Sequence, residues 1–196
     1  MHTRVLALLL APLLLLAAAC NLAAAREAPD NSVVRWAVLE YNGSGQPQSL
    51  DEFIQASVPH NGGVADQIGF VLEHQQGWQR AGIDFQAVRL DPSQPPEEQV
   101  DMFIFVSDEG NFPCAMHSGD GTYVAGCSIG GVFPGNVPCI LVLPNSQRRV
   151  ITVVHEVGHC LGLGHTAGGV MAPVFSGTIS WPSEDEIAQA RENLGK

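Results

Sequence analysis

Lysine is almost missing from this chain of 196 residues: the single one is Lys196, the last residue. Lys and Arg together number 9 against 20 Asp and Glu, a formal charge of −11. Polyanions are held by clustered Lys and Arg, so this balance argues against nucleic acid or anionic lipid as the main partner. Tyrosine is scarce as well, with only Tyr41 and Tyr123. Charged residues make up 15% of the chain and hydrophobic residues 45%, which excludes a disordered polyelectrolyte and leaves enough apolar material for a core. There is no internal repeat, and beyond the N-terminus no apolar run is long enough to cross a membrane. What is abundant is glycine, 21 residues, seven of them between Ser107 and Pro138. That stretch reads as a long irregular segment.

The N-terminal segment is expected to lie outside the fold. Val5 to Ala19 is an uncharged apolar run of 15 residues behind Arg4. It falls short of the ~20 residues of a spanning helix and reads as a signal peptide over residues 1–25. Two exits stand open. Cleavage after Ala23-Ala24-Ala25 would give a free secreted chain. Alternatively, Leu16-Ala17-Ala18-Ala19-Cys20 resembles a bacterial lipobox, with Ala17 where an apolar Leu is usual, and Cys20 would carry the lipid anchor. Either way the expectation is an extracytoplasmic protein, periplasmic or at a bacterial cell surface, with residues 26–196 as one domain. Four cysteines then remain, Cys114, Cys127, Cys139 and Cys160. An even number in an exported chain reads as two disulfides. The favoured pairs are Cys114–Cys127, which closes the Gly-rich loop, and Cys139–Cys160; buried free thiols are the alternative. None of the spacings is the close one that all-thiolate zinc sites use.

Along the chain, Val33 to Tyr41 is the first expected strand. Asp66 to Gln79 carries Ile68, Val71, Leu72 and Trp78 at helical spacing, with Gly82 as its stop. Ile83 to Leu90 alternates like a strand, Asp91 to Glu98 is a Pro-rich acidic loop, and Val100 to Val106 is an apolar run expected at the centre of a sheet. One short edge strand is placed within Tyr123–Phe133. Cys139 to Leu143 is another strand. Pro144-Asn145-Ser146 supplies a stop and a cap for a helix from about Gln147 to Leu161. Ser183 to Leu194 reads as a closing helix, with Ser183 as N-cap and Glu184, Asp185 and Glu186 in its first turn.

The chemistry is concentrated in His155-Glu156-Val157-Gly158-His159-Cys160-Leu161-Gly162-Leu163-Gly164-His165. His155 and His159 stand four apart, one above the other on a helix, and can address one ion. Glu156 sits beside the first of them, placed to act as a general base on water. Gly162 and Gly164 can end the helix and return His165 as a third ligand. Three imidazoles leave one tetrahedral position open, the mark of a catalytic zinc site. A chance match to the full pattern from this composition has a probability of about 5 in 100,000, so the extension past His159 is what makes the signal strong.

These residues, followed by Met171 in Val170-Met171-Ala172-Pro173, resemble the metzincin clan of zinc metallopeptidases. Within that clan GHCLGLGHTAGGVMAPVF looks most like the matrixins. GWQRAGIDFQAV together with RRVITVVHEVGH is similar to small secreted bacterial zincins. The motif covers residues 155 to 173, and a weaker likeness covers most of the chain after residue 25. The resemblance implies an α+β fold: a twisted mixed β-sheet with one antiparallel edge strand, an active-site helix, a second packing helix and a small C-terminal subdomain with a helix. The upper part would run over about 33–164 and the lower over about 165–196. It implies one Zn2+ on His155, His159 and His165, Met171 as the methionine beneath them, and Glu156 as the catalytic base acting on zinc-bound water. An extended peptide would pair with the edge strand, beside a pocket walled by Pro173 to Phe175. The chain departs from the clan in three ways. Met171 follows His165 by six residues, closer than in matrixins. No tyrosine stands near Met171 to serve as an extra ligand. Arg26 to Ser32 is too short for a prodomain with a cysteine switch. For calcium, Asp108, Glu109 and Asp120 offer oxygens, but a solvated acidic loop is the weightier reading.

The function so implied is an exported, monomeric zinc endopeptidase acting on peptide or protein substrates. A non-catalytic zinc-binding envelope protein and a zinc hydrolase of a non-peptide amide are the alternatives.

Overall fold

The longest apolar runs of the chain become the middle of one sheet. In the computed structural model, which describes residues 33–41, 52, 55–59, 62–107, 126–131, 138–144, 149–174 and 181–196, strand β1 (Val33–Tyr41) pairs in parallel with β4 (Met102–Ser107), and β4 in parallel with β6 (Cys139–Pro144). Every residue of β4 and β6 is buried. This is why their sequences are unbroken apolar runs rather than alternating ones: both faces of a parallel sheet are covered.

The outer edge of β1 is shared by two short strands. β3 (Asp84–Ala87) runs parallel along its first half and β2 (Ser57–Pro59) antiparallel along its second. On the opposite edge β5 (Cys127–Ile129), inside the span expected for an edge strand, lies antiparallel to β6. The order is thus β2-β1-β4-β6-β5, with β3 also on β1. The architecture is α+β with a mixed open sheet, and it corrects the expectation of a single antiparallel edge: both edges carry one. β2 is three residues ending at Pro59, too short to show a period in sequence.

One face of the sheet presents Val34, Trp36 and Val38, Met102, Ile104 and Val106, and Leu141 and Leu143 to the helices α1 (Gly63–Leu72) and α3 (Val150–Cys160). Ile68, Val71 and Leu72 come from α1, and Val153, Val154 and Val157 from α3. Each such side chain contributes roughly 1.5–3 kcal/mol by leaving water. The other face carries Leu39, Tyr41, Phe103, Phe105, Ile140 and Val142, packed with Val88 and Leu90. A single helical turn, α2 (Pro96–Gln99), sits in what reads as a Pro-rich loop; Pro96 opens it, where a missing N–H costs nothing.

Two helix boundaries differ from the sequence reading. The helix expected to run through Trp78 ends at Leu72, and Trp78–Ala81 forms a separate 3-10 turn. Gly77 between them is extended, which breaks the ladder, while Gly82 at φ 79 closes the 3-10 turn. α3 begins at Val150, not Gln147, because Arg149 is extended (ψ 148) and its carbonyl accepts the first helical bond, from Val153. Residues 145–148 lie outside the described residues.

Cys139 and Cys160 form a disulfide with a Cα–Cα distance of 5.7 Å, as expected. It ties the start of β6 to the end of α3, one residue after His159. Closing a span of 21 residues, it restricts the unfolded chain by on the order of 3 kcal/mol. Cys127 is also disulfide-bonded; Cys114, the partner expected for it, lies outside the described residues. So do residues 1–25 with Cys20, and the calcium candidates Asp108, Glu109 and Asp120. Among the described residues no helix is long and apolar enough to cross a membrane. The closing helix α4 (Glu184–Asn193) begins where its capping signal places it, and buries Ile187 and Ala190.

Candidate metal centre

Helical spacing brings His155 and His159 onto one face of α3, and the chain beyond the helix returns His165 to them. Gly162 makes the return. It takes φ 80, a conformation that an L side chain resists. Gly164, the second glycine expected to help, is not among the positive-φ residues. The turn is fixed by Leu163 N–H donating to the Gly158 carbonyl, and by Asn193 of α4 donating to the Leu161 carbonyl at 2.9 Å. Thr166 N–H then donates to the Met171 carbonyl, closing the strap that carries His165.

The three side chains form a group that can hold a metal ion, their ligand atoms all within 4.8 Å of one another. His159 Nε2 lies 3.1 Å from His155 Nε2 and 3.2 Å from His165 Nε2. Nitrogens bound to one zinc at 2.0–2.1 Å with tetrahedral angles would stand about 3.3–3.4 Å apart. His159 Nε2 is therefore already close to coordination spacing from each of the other two.

Tautomer settles what those short contacts are. His155 Nδ1 lies 2.6 Å from the Val170 carbonyl oxygen, and His159 Nδ1 lies 2.8 Å from that of Leu163. A carbonyl can only accept, so in both rings Nδ1 carries the proton. Both Nε2 atoms then present lone pairs, and their 3.1 Å contact is two acceptors face to face. Burial keeps the rings neutral. It lowers His155 to about 4, with the Val170 bond opposing and the neighbouring histidines adding to the shift. It also lowers His159, against the Leu163 bond. Converging lone pairs on uncharged rings are stabilised by a cation between them. The carbonyl partners fix ring orientation, as second-layer contacts do at metal sites.

Met171 lies under α3. Gly158, between the two helical histidines, admits it: a Cβ on Gly158 would collide with Met171 Sδ and stand 2.9 Å from Trp78 Cζ2. Trp78 in turn donates to the Val154 carbonyl at 2.8 Å. Glu186 holds the turn. One carboxylate oxygen accepts from Met171 N–H at 2.9 Å, the other from Ser183 N–H at 2.7 Å, completing the capping box of α4. A Cβ on Gly169, at φ 78, would overlap that carboxylate. The short span from His165 to Met171 is accommodated there, at Gly169 and not at Gly168. The capping box is visible in the sequence; the second use of Glu186, and the tight approach at Gly158, are not.

Glu156 is 5% exposed. Burial pushes its carboxyl up to about 7, opposed by the hydroxyl of Ser128 on β5. A Cβ on Gly126 would be 3.0 Å from its Cγ and Oε1. Of the pocket wall expected after Met171, Pro173 and Val174 are exposed and Phe175 lies outside the described residues. His74, just past α1, stacks on Trp181 at 4.1 Å, away from the centre. His60 and His117 lie outside the described residues.

No protein-family profile and no curated protein matches the chain.

Proposed function

We propose that the chain is an exported zinc endopeptidase of the matrixin-like kind. The observation that carries this reading is the convergence of three imidazoles, with His159 Nε2 near coordination spacing from the other two and the Nδ1 protons of His155 and His159 committed to backbone carbonyls. Neutral nitrogen donors in a group of three with an open side suit zinc rather than calcium or magnesium, which take oxygen. His155, His159 and His165 would hold the ion. Bound there, zinc supplies Lewis-acid chemistry: it polarises a carbonyl and makes water acidic near neutral pH.

The remaining work falls to the chain. Glu156 takes the proton of the attacking water on its carboxylate and delivers it to the departing amine nitrogen. Its raised affinity for a proton suits a group that must hold one between those two events. β5, at the end of the sheet, would receive an extended peptide through main-chain hydrogen bonds. Met171 and the Val170 carbonyl keep the histidines in place from below. A site with a purely structural metal has no use for a buried carboxylate next to a ligand, which weighs against a non-catalytic role.

The test is metal analysis of the purified chain together with casein hydrolysis by wild type and Glu156→Gln. The expected result is about one zinc per chain in both, with hydrolysis by the variant reduced on the order of 10²–10⁴-fold. A chain without zinc at neutral pH, or a variant as active as wild type, would overturn the reading.

A further inference from the structure

Glu156 projects from α3 toward β5, and two residues of that short region shape its surroundings. Ser128 is in register with Leu141 of β6. Leu141 lies on the sheet face that α3 covers, so a side chain at 128 turns toward the helix. From that position its hydroxyl lowers the proton affinity of the Glu156 carboxylate, against the effect of burial. Gly126, buried just before the strand, stands against the same side chain: a Cβ there would be 3.0 Å from Glu156 Cγ and Oε1 and 3.2 Å from Cδ. The carboxylate fits because residue 126 has no side chain. Gly126 is not among the glycines with positive φ, so backbone conformation does not demand glycine at this place. The space it leaves for Glu156 does.

We propose that Ser128 and Gly126 are positioning residues for Glu156, the hydroxyl and the bare backbone together holding the carboxylate in one orientation toward the reacting water. This rests on the reading of Glu156 as the base. A carboxylate on a flexible stem can rotate both oxygens through the same space. A hydroxyl facing the carboxylate and a backbone wall against its stem and Oε1 restrict that rotation. The same strand would then bind the peptide and aim the base, so a peptide seated on β5 is registered against the group that handles its proton. Such preorganisation acts on the transition state rather than on substrate binding.

The variants are Ser128→Ala, Ser128→Thr and Gly126→Ala in the full chain loaded with zinc. Ser128→Ala is expected to lower kcat by about tenfold, with KM within about twofold of wild type and metal content unchanged. Ser128→Thr, which keeps the hydroxyl, restores most of the loss. Gly126→Ala, which forces the carboxylate aside by a few tenths of an ångström, lowers kcat at least as much as Ser128→Ala.

A second measurement is independent of activity. Thermal unfolding of the metal-free protein is compared for Ser128→Ala in the Glu156 and Glu156→Ala backgrounds. The serine substitution lowers Tm in the first and has little effect in the second, where no carboxylate accepts its bond. Equal shifts in both backgrounds, or a change in KM with kcat intact, would overturn the positioning role while Glu156-dependent hydrolysis stands. A zinc-loaded wild type that hydrolyses nothing would overturn the base reading, and the positioning role with it, whatever the unfolding cycle gives.

Discussion

His155 and His159 on one side, and His165 on the other, reach the same point by different means. The first two stand on a helix tied to the sheet by the Cys139–Cys160 disulfide, and their Nδ1 atoms are fixed by the carbonyls of Val170 and Leu163. His165 is exposed, on a strap that leaves the helix at Gly162 and closes through Thr166 and Met171. Among the described residues no carbonyl accepts from its second nitrogen. The helical pair is thus fixed in orientation by the fold itself, while the third imidazole sits where adjustment is cheap. A centre built this way places its affinity in the helix and its adaptability in the strap.

The comparison breaks most readily at His159, whose Nε2 is the shared neighbour of the other two. His159→Ala is expected to weaken zinc binding on the order of 10³-fold or more. His165→Ala should cost less, on the order of 10–100-fold, because the preoriented pair remains. Competition with a chromogenic chelator at fixed pH measures both. Equal losses would show that the strap contributes as much as the helix and that preorientation counts for little.

A smaller effect sharpens the same contrast from a distance. Glu186 touches no histidine side chain through any hydrogen bond among the described residues. It holds Met171 N–H, and the preceding residue supplies the carbonyl that orients His155. Glu186→Gln replaces one accepting oxygen with a donor facing an N–H. It should weaken zinc binding by about tenfold, the lower end of the range for second-layer contacts. The loss should add to that of His165→Ala and be largely absent when His155 is already Ala. Full additivity with His155→Ala would mean that Glu186 acts on the fold as a whole.

Much of this is legible in the sequence. The pattern from His155 to Met171 names every ligand candidate because its geometry is local: helical spacing for two, a glycine turn for the third. β1, β4, β6 and α4 are legible for the same reason, as apolar runs and as a capping box written in consecutive residues. What was hidden depends on distant partners. Ser128 gains meaning only when the β5–β6 register turns it toward α3. Gly158 reads as an unremarkable helix residue until Met171 and Trp78 are packed against it. The apolar spacing from Ile68 to Trp78 suits one helix and cannot show the break at Gly77. β2 is recognised only through its pairing with β1. The calcium candidates, the N-terminal segment and Cys114 lie outside the described residues.

A last contrast concerns protons on the helical side of the centre, where two neighbours respond to pH with opposite sign. His155 is lowered from 6.5 to about 4 by burial. The unfolded chain therefore takes up a proton that the fold refuses, and stability is lost as pH falls from 6.5 toward 4. Glu156 is raised from 4.5 to about 7, again by burial. Here the fold keeps a proton that the unfolded chain has released, and stability is lost as pH rises from 4.5 toward 7. Each effect has an upper limit of roughly 3 kcal/mol, and in the metal-free wild type they largely cancel between pH 4.5 and 6.5. Separate variants expose them. Metal-free Glu156→Gln should melt several degrees above wild type at pH 7.5 and close to it at pH 4.5. Metal-free His155→Asn should hold its Tm toward acid better than wild type does. If Glu156→Gln lowers Tm equally at both pH values, the carboxylate is not strained by burial, and the helical side of the centre is less enclosed than its geometry indicates.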